Sequence, residues 1–109
     1  MYLLEHINPS GTVNQFHIDV SEDGLMIYES CINYVLENCS DEDIYRITGC
    51  ENKEALKEIQ KNIITILYYY AAKDLLLPRY IDPQNRYIDP NELSWIGIDI
   101  DRLNRLVFR

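Results

Sequence analysis

Along the chain the apolar positions change period from two to nearly four, and each change marks a predicted element. In residues 12–20, Phe16, Ile18 and Val20 alternate with His17 and Asp19, the period of two that sends successive side chains to opposite faces of a strand. Residues 2–7 are also β-compatible, and the turn-forming tetrad Asn8-Pro9-Ser10-Gly11 lies between the two runs, so the pattern predicts a short N-terminal β-hairpin. Ser21 can then cap a helix whose first turn carries Glu22 and Asp23, where carboxylates favour the positive end of the helix dipole. Over about residues 22–38, Leu25, Tyr28, Ile32, Val35, Leu36 and Cys39 fall in an arc of roughly 100°, the width of a core-facing stripe. The opposite side holds Met26, Ile27, Ser30, Tyr34 and Glu37. A mixed face of that kind is either packed on a second element, most simply the hairpin, or left for a partner.

Ser40 followed by Asp41, Glu42 and Asp43 predicts a second helix start, running through Ile44, Tyr45 and Ile47 to a stop at Gly49, two turns at most. Asn52 caps the longest periodic segment, a central helix expected over about 53–77 and ended by Pro78. Leu56, Ile59, Ile63, Ile66, Leu67 and Tyr70 share its predicted inner face. From Ile63 to Leu76 it is apolar or aromatic on nearly every side, which predicts a buried strut, with Tyr68, Tyr69 and Tyr70 keeping their hydroxyls at the core edge.

Beyond it stands a near-duplicate, Arg79-Tyr80-Ile81-Asp82-Pro83 and Arg86-Tyr87-Ile88-Asp89-Pro90. Proline pushes the residue before it out of the α region, so the two copies predict turns that lay Tyr80 and Tyr87 on the body. Ile96, Ile100, Leu103 and Val107 fit a last docking helix, while Ile96, Ile98 and Ile100 equally fit a strand. The expected fold is therefore a mainly α (α+β) single domain, residues 1–109, built around the long helix at about 53–77 with a small hairpin at its N-terminus.

Composition adds direction. At 109 residues, 47% hydrophobic and 26% charged, the chain has the make-up of one globular core. The net charge of −8 is uneven: residues 1–52 hold ten acids against Arg46 alone, residues 53–78 are at +1, and residues 79–109 balance. A phosphate backbone would be repelled by the first half, which disfavours nucleic-acid binding. The strongly apolar run 63–72 is about half the ~20 residues of a membrane span, and no basic patch precedes an apolar run at the N-terminus, so a cytoplasmic location is expected. Cys31, Cys39 and Cys50 form no metal or disulfide pattern and are expected to be buried thiols.

Glycine-rich phosphate loops, GxSxG, HExxH and calcium-loop patterns are absent, and the chain is expected not to be an enzyme and to need no cofactor or metal. His6, His17, Asp19 and Glu22 are the best acid–base candidates, and ordinary surface histidines explain the first two better than catalysis or metal binding does. What stands out is an association surface. Nine acids between Asp19 and Glu51 are interleaved with Tyr28, Tyr34 and Tyr45; charge of this kind steers a basic partner and aromatic rings hold it. The candidate contact set is Glu22, Asp23, Glu29, Tyr34, Glu37, Asp41, Glu42, Asp43 and Tyr45.

Small size, the −9 first half, richness in tyrosine and the stretch 22–70 together resemble the acidic cytosolic immunity proteins of bacterial contact-dependent growth inhibition. Those proteins neutralise the toxic C-terminal domain of a very large exported protein. The resemblance implies a one-to-one complex with a toxin domain, often an RNase or DNase, whose basic cleft is occluded. The family shares no motif, so no residue role is carried over from it. A regulatory adaptor subunit, or a nucleic-acid mimic that binds another cytosolic protein, would carry the same acidic face.

Overall fold

The structure, a computed structural model, describes residues 1–9, 11 and 13–107. It is mainly helical with a small N-terminal sheet. Strands β1 (Tyr2–Ile7) and β2 (Gln15–Asp19) pair antiparallel. They are followed by α1 (Glu22–Asn38), α2 (Asp41–Thr48), α3 (Lys53–Tyr70), α4 (Pro78–Ile81), α5 (Pro90–Trp95) and α6 (Ile100–Val107). Of the predicted hairpin turn, Ser10 lies outside the described residues.

The caps are those the sequence signals. Ser21, Ser40 and Asn52 side chains accept from the amides of Gly24, Asp43 and Ala55, satisfying donors that the first helical turn leaves unpaired. Gly49 ends α2 at φ 80°, a left-handed conformation that favours glycine.

The core runs along α3 as three clusters. Leu56 packs with Leu36 of α1 and Ile44 of α2; Ile64 and Leu67 pack with Tyr80 of α4; Tyr69 lies against Tyr87, Leu93, Ile98 and Leu103 of the C-terminal segment. The buried line of α3 is Leu56, Ile64, Thr65 and Leu67, so Ile59 and Tyr70, expected inside, are exposed. Thr65 is the reason for part of this turn. Its hydroxyl accepts the amide of Tyr87 at 2.9 Å and seats the second Arg-Tyr-Ile-Asp-Pro copy.

Helix α3 stops at Tyr70 rather than continuing to residue 77, although Ala71 and Ala72 are excellent helix formers. The amide of Ala72 donates to Glu22 Oε1 at 2.7 Å, and a 3₁₀ turn at Lys73–Leu75 reverses the chain. Pro78 does not end a helix; it occupies the first turn of α4, where its missing N–H costs nothing. The reversal brings Arg79 and Tyr80 back against α1. Asp82 and Asp89 each cap the turn after their proline, accepting the amides of Gln84 and Asn91, and Tyr80 and Tyr87 are both buried as expected.

The C-terminal segment is not a strand: residues 96–99 form a turn between α5 and α6, so Ile96 and Ile98 lie outside the last helix. Gly97 at φ 90° closes α5, Asp99 accepts the amide of Arg102 to cap α6, and Leu103 enters the core. The backbone of Val107 belongs to α6; its side chain lies outside the described residues. Tyr70 Oη accepts the amide of Asp99, and the Arg86 guanidinium stacks 3.7 Å over Tyr68. The three consecutive tyrosines thus hold the last third of the chain to α3.

The hairpin does not cover α1. Pairs Leu3 with Ile18 and His6 with Phe16 occupy one face, and Tyr2 with Asp19, Glu5 with His17 and Ile7 with Gln15 the other, with a bulge between Leu3 and Glu5. Every residue of both strands except the half-buried Ile7 is exposed. The Cα radius of gyration, 15.4 Å, exceeds the ~13 Å of a typical 100-residue domain, as a projecting hairpin requires.

Candidate protein-binding surface

Helix α1 divides its acids between inside and outside, and the division decides which of them a partner can reach. Glu29, counted in the sequence among the contact acids, has 0% exposure. It is corrected here to a structural residue. Its carboxylate accepts from Arg79 Nε at 2.9 Å, from an Arg79 terminal nitrogen at 2.6 Å, from Tyr80 Oη at 3.0 Å and from Gln60 Nε2 at 3.1 Å. Gln60 also reaches Asn33, and Arg79 donates to Ser30 Oγ. A buried charge persists only when paired and hydrogen-bonded, and this one is. The bond to Glu29 raises the Arg79 pKa. Burial, with the Glu29 charge beside it, pushes the Tyr80 phenol up to about 12. This buried centre turns the inner face of α1 toward Glu29 and leaves Tyr28, expected in the core stripe, on the exposed side.

Other members of the predicted set are drawn into the fold. Glu22 is half-buried and holds the Ala72 amide. Asp41 is exposed but accepts the amide of Lys53 at 2.8 Å, tying α2 to the start of α3. Asp43 is half-buried and bonded to Arg46 at 3.2 Å; that bond, with the Ser40 cap, lowers its pKa.

Asp23, Tyr34, Glu37, Glu42 and Tyr45 remain exposed. At ~100° per residue, Asp23, Ile27, Ser30, Tyr34 and Glu37 fall within an arc of about 80° on the outer side of α1. Along that arc runs an open groove of ≈ 500 Å³ lined by Met26, Ile27, Ser30, Cys31, Tyr34 and Val35. Tyr34 stands 68% exposed and Ile27 60%. The sequence placed Met26, Ile27 and Ser30 on this face but left them, and Cys31 and Val35, out of the contact set. Cys31 is exposed, contrary to the expectation of a buried thiol, whereas Cys39 and Cys50 pack against the Leu36 cluster.

Along the sequence the exposed acids continue past the helix end. Glu37 lies in the last turn of α1, and Glu42, followed by Tyr45, in the first turn of α2. A carboxylate at the negative end of a helix is unfavourable; α1 has no basic residue in its last turn, and the charge that acts favourably on Glu37 is that of Arg79.

His6 and His17 lie on opposite faces of the hairpin. His6 stacks on Phe16 and donates from Nε2 to Asn14 Oδ1, while His17 Nδ1 lies 3.0 Å from Glu5. Among the described residues no group of three His, Cys, Asp or Glu is arranged to hold a metal ion, and no helix is long and apolar enough to cross a membrane. No protein-family model, curated protein or solved structure matches the chain.

Proposed function

We propose that the chain is an immunity protein that binds a cognate toxin domain, a basic nuclease, one to one, and blocks its cleft with the outer face of α1 and the start of α2. The observation that carries this reading is the uncovered α1 face. Acids stand at both ends, Asp23 and Glu37, and the apolar groove with Tyr34 lies between them. Exposed carboxylates raise the encounter rate with a cationic cleft, and a central aromatic in an apolar setting slows departure.

The contact set of the proposal is Asp23, Ile27, Tyr34, Glu37, Glu42 and Tyr45, with Asp41 at its edge. The test is co-expression with the C-terminal domain encoded by the adjoining reading frame. The wild-type chain restores growth and forms a one-to-one complex. Asp23→Lys, Glu37→Lys and Glu42→Lys together slow association and flatten its dependence on salt. An unchanged association rate in the triple variant refutes the surface, and an absence of growth rescue refutes the function.

A further inference from the structure

The hairpin is amphipathic, and nothing in the fold requires its apolar face to stand in water. Leu3, Phe16 and Ile18, with the stacked ring of His6, occupy one face at 61%, 60% and 45% exposure for the three apolar residues. The other face carries Glu5, His17, Gln15 and Asp19 together with Tyr2 and the half-buried Ile7. Along β2 the alternation of Phe16 and Ile18 with Gln15, His17 and Asp19 is what burial of one face selects. An isolated two-stranded hairpin is marginal in water unless a third strand or a packed layer supports it. Leu3, Phe16 and Ile18 are neighbours on this face and all three are exposed.

Charge decides between the candidate occupants. Residues 1–45 contain no lysine or arginine, and Glu5, Asp19, Glu22 and Asp23 edge the hairpin and its junction with α1. A second copy seated there would bring these carboxylates together with those of an equally acidic chain of net charge −8, which opposes self-association. A partner with an apolar patch rimmed by lysine and arginine meets both the face and its edge. Position agrees with this. Only Val20 and Ser21 separate β2 from α1, and Tyr28 Oη lies 4.0 Å from the Met1 sulfur, so the hairpin is anchored one residue from Ile27 of the α1 face.

We propose that the apolar face of the hairpin, Leu3, Phe16 and Ile18, is a second docking surface for the same basic protein partner, engaged alongside the α1 groove. The inference rests on the reading of the chain as a toxin-binding protein. Recognition is then divided: the α1 face supplies steering charge and a central aromatic, and the hairpin supplies apolar area that slows dissociation.

The experiment uses the full chain with the toxin domain of the adjoining reading frame, read by hydrogen exchange and by binding kinetics. Phe16→Thr with Ile18→Thr removes apolar area but keeps β-branched strand formers, and Gln15→Thr on the polar face is the control. In the complex the amides of β1 and β2 become protected. The double variant keeps wild-type helicity and dissociates about tenfold faster or more, while Gln15→Thr binds as wild type. If the complex forms but the hairpin amides exchange as in the free protein and the double variant binds normally, this surface is refuted and the α1 reading stands. Should no complex form, both fall. Sedimentation of the free chain as a dimer that the double variant dissociates assigns the face to a second copy and overturns the proposal.

Discussion

Arg79→Ala tests whether the buried carboxylate organises the fold. In the native protein Glu29 has no solvent exposure and five hydrogen bonds reach its two oxygens, three of them from Arg79. The substitution leaves Tyr80 and Gln60 as the remaining donors to an ion that has lost its counter-charge. Removing one member of a buried ion pair costs ~3–5 kcal/mol. The Arg79 side chain is 30% exposed, so water can enter the vacated space, which moves the expected loss toward ~3 kcal/mol. Against a total stability of ~5–15 kcal/mol for a domain of this size, the melting temperature should fall by roughly 10–20 °C. Urea unfolding followed by far-ultraviolet circular dichroism measures the difference. Glu29→Gln added to Arg79→Ala removes the stranded charge while keeping a group that Tyr80 and Gln60 can bond. The double variant should therefore be more stable than Arg79→Ala alone, a sign of coupling that independent surface changes do not give. A loss under ~0.5 kcal/mol in Arg79→Ala, the range of ordinary surface substitutions, would show that the pair does not hold α1 to α4.

Stability should also fall at alkaline pH. The Tyr80 and Tyr87 phenols are pushed from 10.0 up to about 12, chiefly by burial. Above pH 10 the unfolded chain therefore releases protons that the folded chain still holds, so stability present below pH 10 is lost as pH rises toward 12. Tyr80→Phe with Tyr87→Phe should flatten the slope of denaturant midpoint against pH in that window. An equally steep slope in the double variant assigns the effect elsewhere. A third expectation concerns Trp95, the single tryptophan, which stands 80% exposed on α5. Its emission should already be that of a solvated indole and should shift little on unfolding, while the helical signal is lost cooperatively. A blue-shifted native spectrum would show that Trp95 is covered in solution.

Local rules carried most of the elements. Ser21, Ser40, Asn52 and Gly49 set helix ends that need only nearest neighbours, and the Asp-Pro copies set turns for the same reason. Features that depend on distant partners were hidden. The end of α3 depends on a bond between Ala72 and Glu22, 50 positions apart, and on the return of Arg79 to Glu29; helix propensity through Ala71 and Ala72 points the other way. Glu29 reads as one acid among nine because charge in a sequence carries no sign of burial. A faint signal existed in its phase. At ~100° per residue, Glu29 falls about 20° beyond Leu36 at the edge of the arc formed by Ile32, Leu25 and Leu36, whereas Asp23 and Glu37 lie about 120° and 80° further round. The exposure of Phe16 and Ile18 had no such signal, since alternation shows which face is apolar and not what covers it.

That phase relation also limits what the acidic half can do. Had all nine acids between Asp19 and Glu51 faced outward, their mutual repulsion would weigh against the compact state. Instead Glu29 is neutralised by Arg79, Asp43 by Arg46, and Glu22 and Asp41 are committed to backbone amides. Asp19, Asp23, Glu37, Glu42 and Glu51 have no side-chain hydrogen bond among the described residues, and Asp23 and Glu37 bracket the apolar groove. Carboxylates spaced along one helix around an exposed tyrosine make a surface whose charge acts at long range and whose centre can be desolvated. In the inhibitor reading, association should therefore depend on salt chiefly through the exposed acids of this face, Asp23, Glu37 and Glu42, and dissociation on Tyr34 and the groove beside it. Tyr34→Ala should raise the dissociation rate and leave the salt dependence of association as it is. If instead it slows association and spares dissociation, the tyrosine is not the anchor and the groove is not where the partner sits.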